Sequence, residues 1–136
     1  FGAHIFNTPI TYKDEPQSYA ANPPGLSTRL FLRLGNYGTE TICHLIYPAS
    51  LPWKDYSDTQ LILHDRNGEV VRAVTVKIPC GGSLYWKFHE TFDEQAIAQA
   101  GRGAYILVRD TTCRLFGYHG LLINDAAFCL DHMFGF

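Results

Sequence analysis

From Ser27 onward the chain is written in short runs that alternate apolar and polar residues, each stopped by glycine, proline, asparagine or aspartate. On an extended backbone successive side chains point to opposite faces, so this rhythm of two buries one face of a strand and wets the other. Ser27 to Leu34 places Thr28, Leu30, Leu32 and Leu34 on one face and Arg29, Phe31 and Arg33 on the other. After the turn Gly35-Asn36-Tyr37-Gly38, Thr39 to Tyr47 is apolar on both faces, with Cys43, Leu45 and Tyr47 opposing Ile42, His44 and Ile46. A strand covered on both sides is an interior strand.

The same reading continues to the end of the chain. Thr59 to Asp65 and Glu69 to Ile78 flank Asp65-Arg66-Asn67-Gly68, a hairpin turn in which Asn-Gly takes up positive φ. Val70-Val71 and Arg72 break the alternation, which predicts a bulge. Ser83 to Glu90 sends Leu84, Trp86 and Phe88 inward, and Thr91-x-x-Glu94 reads as a capping box that opens a short helix ending near Gly101. Ala104 to Arg109 is a further strand. Arg114 to Ile123 and Ala126 to Phe134 are the last two, joined by a two-residue hairpin at Asn124-Asp125.

Antiparallel strands need only short connections, whereas a parallel sheet needs long crossovers, and only one helix is visible. The expected fold is all-β: an antiparallel, immunoglobulin-like sandwich of about seven to eight strands with one short helix. At 136 residues the chain has the length of one domain. It divides into an irregular, proline-rich arm over 1–26 and the sandwich over 27–136. The order of elements from about Ser27 to Ile123 resembles the bacterial immunoglobulin-like sandwiches, among them the small transducers of microbial sensory rhodopsins. The resemblance lies in a strand ending in an Asn/Gly turn, a D-x-x-G hairpin, a Pro-Gly loop and a strand feeding a short helix. It rests on no motif residue, so it implies a fold and assigns no site.

Composition limits the partners. With 46% hydrophobic and 18% charged residues the chain is globular, and a net charge of −2 lacks the basic footprint of a nucleic-acid binder. No apolar run reaches the roughly 20 residues that span a bilayer. Phe1-Gly2-Ala3-His4-Ile5-Phe6 has neither a basic opening nor a cleavage pattern, so no signal peptide is expected; without an initiator Met, the chain reads as processed or trimmed. Cys43, Cys80, Cys113 and Cys129 are widely spaced, which suggests reduced thiols and a cytoplasmic setting, with Cys43 and Cys129 packed as small hydrophobes.

Three groups of residues compete as sites. With a two-residue loop at Asn124-Asp125, His119 would lie opposite Leu130 and Gly117 opposite His132. The histidines would then be diagonal neighbours on one face, about 7–8 Å apart at the backbone, a start for a transition-metal site that still needs a third ligand. Gly117 and Gly120 would let a ligand approach. The plainer reading makes both histidines part of a core with Leu121, Ile123, Phe128, Leu130 and Phe134. The loop from Pro48 to Asp58 is long for a hairpin connection, and Trp53 and Tyr56 on it would stack on a sugar or anchor a partner protein, or else Trp53 plugs the end of the sandwich. Phe1, Phe6, Phe128, Phe134 and Phe136 make both termini apolar, a motive for packing together or against another subunit.

The remaining constellations are bland. Arg29, Phe31 and Arg33 form a basic-aromatic stripe whose plain explanation is a solvated strand face. No G-x-S-x-G elbow exists, and Cys43 and His44, being sequence neighbours, point apart. Asp93 and Glu94 suit the first turn of a helix. The expected function is therefore a non-catalytic binding module without a cofactor that associates with itself or another protein. The alternatives are a metal-binding protein or metal-dependent enzyme centred on His119 and His132, and a small-molecule or sugar binder using Trp53 and Tyr56.

Overall fold

The computed structural model describes residues 27–35, 38–48 and 54–135. Within them the chain forms β1 (Thr28–Arg33), β2 (Thr39–Ile46), β3 (Thr59–His64), β4 (Val70–Val76) and β5 (Ser83–Lys87). Two short helices follow, α1 (Phe88–Thr91) and α2 (Glu94–Ala100), and then β6 (Tyr105–Asp110), β7 (Phe116–Ile123), β8 (Ala127–His132) and β9 (Phe134–Gly135). All pairings are antiparallel. One sheet has the order β4-β3-β6-β1-β9 and the other β5-β2-β7-β8. The molecule is a β-sandwich.

The alternation seen in the sequence becomes the packing. Leu30 and Leu32 of β1, Leu61 and Leu63 of β3, and Ile106 and Val108 of β6 are buried and face Cys43, Leu45 and Trp86 of the second sheet. Each fully buried leucine contributes roughly 1.5–3 kcal/mol over the same side chain in water. Arg29, Phe31 and Arg33 point outward, as expected of a solvated strand face. Phe31 packs on Tyr105 (5.1 Å), whose other neighbour is the stacked ring of His64 (4.8 Å). The bulge at Val70-Val71 is present, because the β3–β4 register shifts between Leu63 and His64. No helix among the described residues is long and apolar enough to cross a membrane.

Four boundaries differ from the sequence expectation. The strand expected over Ser83 to Glu90 stops at Lys87, and Phe88 to Thr91 turn helical. Thr91 does not cap α2; its hydroxyl donates to the Lys87 carbonyl (2.7 Å), and Asp93 is the N-cap, accepting from the Ala96 amide (2.8 Å). Asp93 serves the Ala96 amide as Thr91 would have served the Glu94 amide, two residues later. The strand expected over Ala126 to Phe134 is two strands, β8 and β9. It crosses between the sheets at buried Met133, whose amide bonds the Gly117 carbonyl (2.8 Å).

The fourth difference is the last hairpin. Asn124 and Asp125 both take positive φ and Ala126 donates to the Ile123 carbonyl (3.0 Å), yet the ladder closes at Ile123↔Ala127. The loop thus holds three residues instead of two. A slip of one residue turns every side chain of a strand to its other face. Phe128, Leu130 and His132 therefore leave the inner face, and Cys129 comes to the inner side of an edge strand, where it is exposed and not packed.

One buried polar cluster pins the β6–β7 connection. Asp110, 1% exposed, accepts from the amides of Thr112 (2.7 Å) and Cys113 (2.8 Å) and the hydroxyls of Thr112 (3.0 Å) and Thr59 (3.0 Å). Thr59 shares a further hydrogen bond with Ser57, and Ser57 Oγ accepts from the Ile78 amide (3.0 Å). The Tyr47 hydroxyl holds the loop before β3 at both backbone groups of Lys54 (2.9 Å each). Burial pushes this phenol up to about 12.

Candidate functional site

The register of β2, β5, β7 and β8 decides which side chains face outward from the four-stranded sheet. Tyr85, His44, Tyr118 and His132 lie opposite one another in turn and make one row across all four strands. Lys87, Ile42, Gly120 and Leu130 make the next, and Glu40, Leu122 and Phe128 a third. Phe116 stands beside Ile46 at the far end. The Tyr118 and His132 rings meet edge to face at 5.5 Å. Phe128 is 68% and Leu130 52% exposed, and Tyr85, Phe116 and Tyr118 are exposed as well. The only charged side chains on these rows, Lys87 and Glu40, lie at their margins.

β8 is the edge of this sheet, and every one of its residues is exposed. Native edge strands are commonly blunted by lysine, proline or brevity. Ala127-Phe128-Cys129-Leu130-Asp131-His132 carries neither lysine nor proline, and its one carboxylate, Asp131, lies on the inner side. The Met133–Gly117 bond sets the alternation of the β7–β8 ladder: residues 127, 129 and 131 bond to β7, and Phe128, Leu130 and His132 turn their backbone groups to the open side. The His132 amide on that side donates to the Asp131 carboxylate (2.8 Å).

His119 and His132 do not come together. His119 pairs with Cys43 on one side and Asp131 on the other, on the inner face, whereas His132 pairs with Tyr118 on the outer face. No group of three metal-ligating side chains occurs among the described residues. The glycines beside His119 make room for the protein's own atoms. A Cβ on Gly120 would strike the Cys129 carbonyl, and one on Gly117 would lie 2.5 Å from the Met133 sulfur. Cys43 donates to the same sulfur (3.6 Å), and burial pushes its thiol well above the ordinary range, so it is a packing group and not a nucleophile.

Half-buried His119 has its pKa lowered by burial, against the opposing pull of Asp131. A base whose folded pKa lies below its unfolded value favours folding while neutral. The contribution is complete above the ordinary imidazole value near 6.5 and is lost as the pH falls through the lowered one. Wild-type protein should accordingly lose more stability between about pH 7 and pH 5 than a His119→Gln variant, read as the urea midpoint at each pH.

Of the other sequence candidates, Trp53 lies outside the described residues, as do Phe1, Phe6 and Phe136. Tyr56 is 56% exposed and its backbone bridges to Pro79. Phe116 and Tyr118 were not among the sequence candidates. The signal was present: β7 is apolar on both faces, which marks either a covered strand or an interface. Comparison with known proteins adds no relative, since no family model matches the chain and no curated protein or solved structure matches it significantly.

Proposed function

We propose that this chain is a non-catalytic interaction module, an immunoglobulin-like sandwich that pairs with a second copy of itself along β8. The observation that carries the reading is a fully exposed edge strand, free of lysine and proline and continuous with an aromatic outer face. Exposed apolar surface of this extent usually marks an interaction site. The immunoglobulin-like assignment is supported by the central strands. The orders β1-β6-β3 and β2-β7-β8 repeat B-E-D and C-F-G of that fold. The departures are that C-terminal β9 takes the place beside β1, and that β5, next to β2, comes after the β3–β4 hairpin.

A second copy suits the edge better than an unrelated strand. The open backbone groups belong to Phe128 and Leu130, since the His132 amide is already taken. Under a two-fold axis at Cys129, Phe128 pairs with the mate's Leu130 and Ala127 with the mate's Asp131. Apolar meets apolar, and the two aspartates stay apart. An isologous contact of this kind closes on itself and stops at the dimer. Leu130→Asp puts like charges on both sides of that axis. In sedimentation velocity the wild type should associate with rising concentration and Leu130→Asp should remain monomeric with an unchanged circular dichroism spectrum. Equal association of the two would end the proposal.

A further inference from the structure

Between the end of β1, the start of β2, α1 and the close of α2, the described residues leave a cavity of about 660 Å³. That lies within the usual range for small-molecule sites, roughly 300–1,000 Å³. Leu34, Phe88 and Ile97 supply apolar lining, and Arg33, at the outward-facing end of β1, and Arg102, after α2, also line it. Neither arginine has an ion-pair partner among the described residues. His89 lines the cavity too, and its ring is held from outside: Nδ1 bonds the Glu40 carboxylate at 3.0 and 3.1 Å, and the His89 amide donates to the same group (3.1 Å). That arrangement fixes the imidazole and leaves Nε2 uncommitted.

A plainer role for Arg102 would be to complement the C-terminal end of α2. It donates to none of the α2 carbonyls; the Gly101 amide bonds Ile97 (3.1 Å) and the Ala104 amide bonds Gly101 (3.4 Å) in its place. Glu40, the acid nearest His89, is committed to that histidine. Two arginines lining a partly apolar hollow, with no acid among its lining residues, suit an anionic head attached to an apolar body.

We infer that this cavity binds a small amphipathic organic anion, its carboxylate, sulfonate or phosphate head at Arg33 and Arg102 and its apolar body against Leu34, Phe88 and Ile97. The site does not depend on pairing through β8. The probes are 8-anilinonaphthalene-1-sulfonate and its uncharged relative N-phenyl-1-naphthylamine, followed by fluorescence. The sulfonate should saturate at one per chain, and Arg33→Gln with Arg102→Gln should weaken it at least about tenfold, leaving the uncharged probe unaffected. Ala98→Phe, on an exposed position of α2 that lines the cavity, should exclude both probes. Sulfonate binding that ignores the arginines, survives Ala98→Phe, fails to saturate, or is removed by Phe128→Asp on the sheet face would overturn the inference.

Discussion

Mild oxidation of the wild-type chain should give a covalent dimer joined through Cys129, and Cys129→Ser should abolish it. Of the four free thiols, Cys43 and Cys113 are buried, Cys80 is half-buried and Cys129 is exposed. Exposure alone would allow slow, random cross-linking. The pairing proposed for β8 asks for more, since a two-fold axis at Cys129 sets it directly opposite its mate. In an antiparallel ladder that position, between hydrogen-bonded neighbours, brings Cα atoms to about 4.5 Å. Disulfides need Cα separations of roughly 4.4–6.8 Å, so the bond would form without moving the backbone. The wild type should therefore cross-link nearly completely at concentrations where it is dimeric. Leu130→Asp, with the same cysteine equally exposed, should cross-link slowly and in proportion to collision. Equal rates in the two would place Cys129 away from any axis.

Asp110→Ala should cost about 3–5 kcal/mol of stability, the range for removing one partner from a buried charged network. Four donors converge on this carboxylate: two amides of the β6–β7 connection and the hydroxyls of Thr112 and Thr59. Alanine leaves the Thr112 and Cys113 amides without this acceptor, while the Thr59 hydroxyl keeps only Ser57. It also frees the turn that delivers β7, and with it the row containing Tyr118. Asp110→Asn keeps an oxygen for the Thr112 and Cys113 amides and turns an amide toward Thr59, whose hydroxyl can rotate to accept. Its cost should be well below that of alanine. For a chain of this size the alanine variant would melt roughly 10–20 °C lower. A loss below about 1 kcal/mol would mean that water replaces the carboxylate, and that the network is not what holds the connection.

Much of the fold is readable from residue order because the inner positions of β1, β3 and β6 alternate and glycine marks the turns after β1 and β3 and before β6. Leu30, Leu32, Leu61 and Leu63 fall where the rhythm places them, and the Val70-Val71 break is a bulge. The candidate site was less legible, for a specific reason. Asn124-Asp125 is compatible with a two-residue or a three-residue loop, and nothing local chooses between them. The choice is made at a distance, where Met133 enters the core beside Gly117 and fixes the parity of β8. That one residue moves Phe128 and Leu130 from core to surface and parts His119 from His132. The cavity was illegible for a different cause. Arg33, His89 and Arg102 are far apart in sequence, and their meeting depends on how α1 and α2 lie across the end of the sheets.

Self-pairing through β8 is tested most directly by light scattering on the unmodified chain across a range of concentrations. A mass rising from 15.3 kDa to twice that value and levelling there is the expected result. A mass that stays at 15.3 kDa up to the highest concentration reached, or climbs past two chains without a plateau, would contradict it.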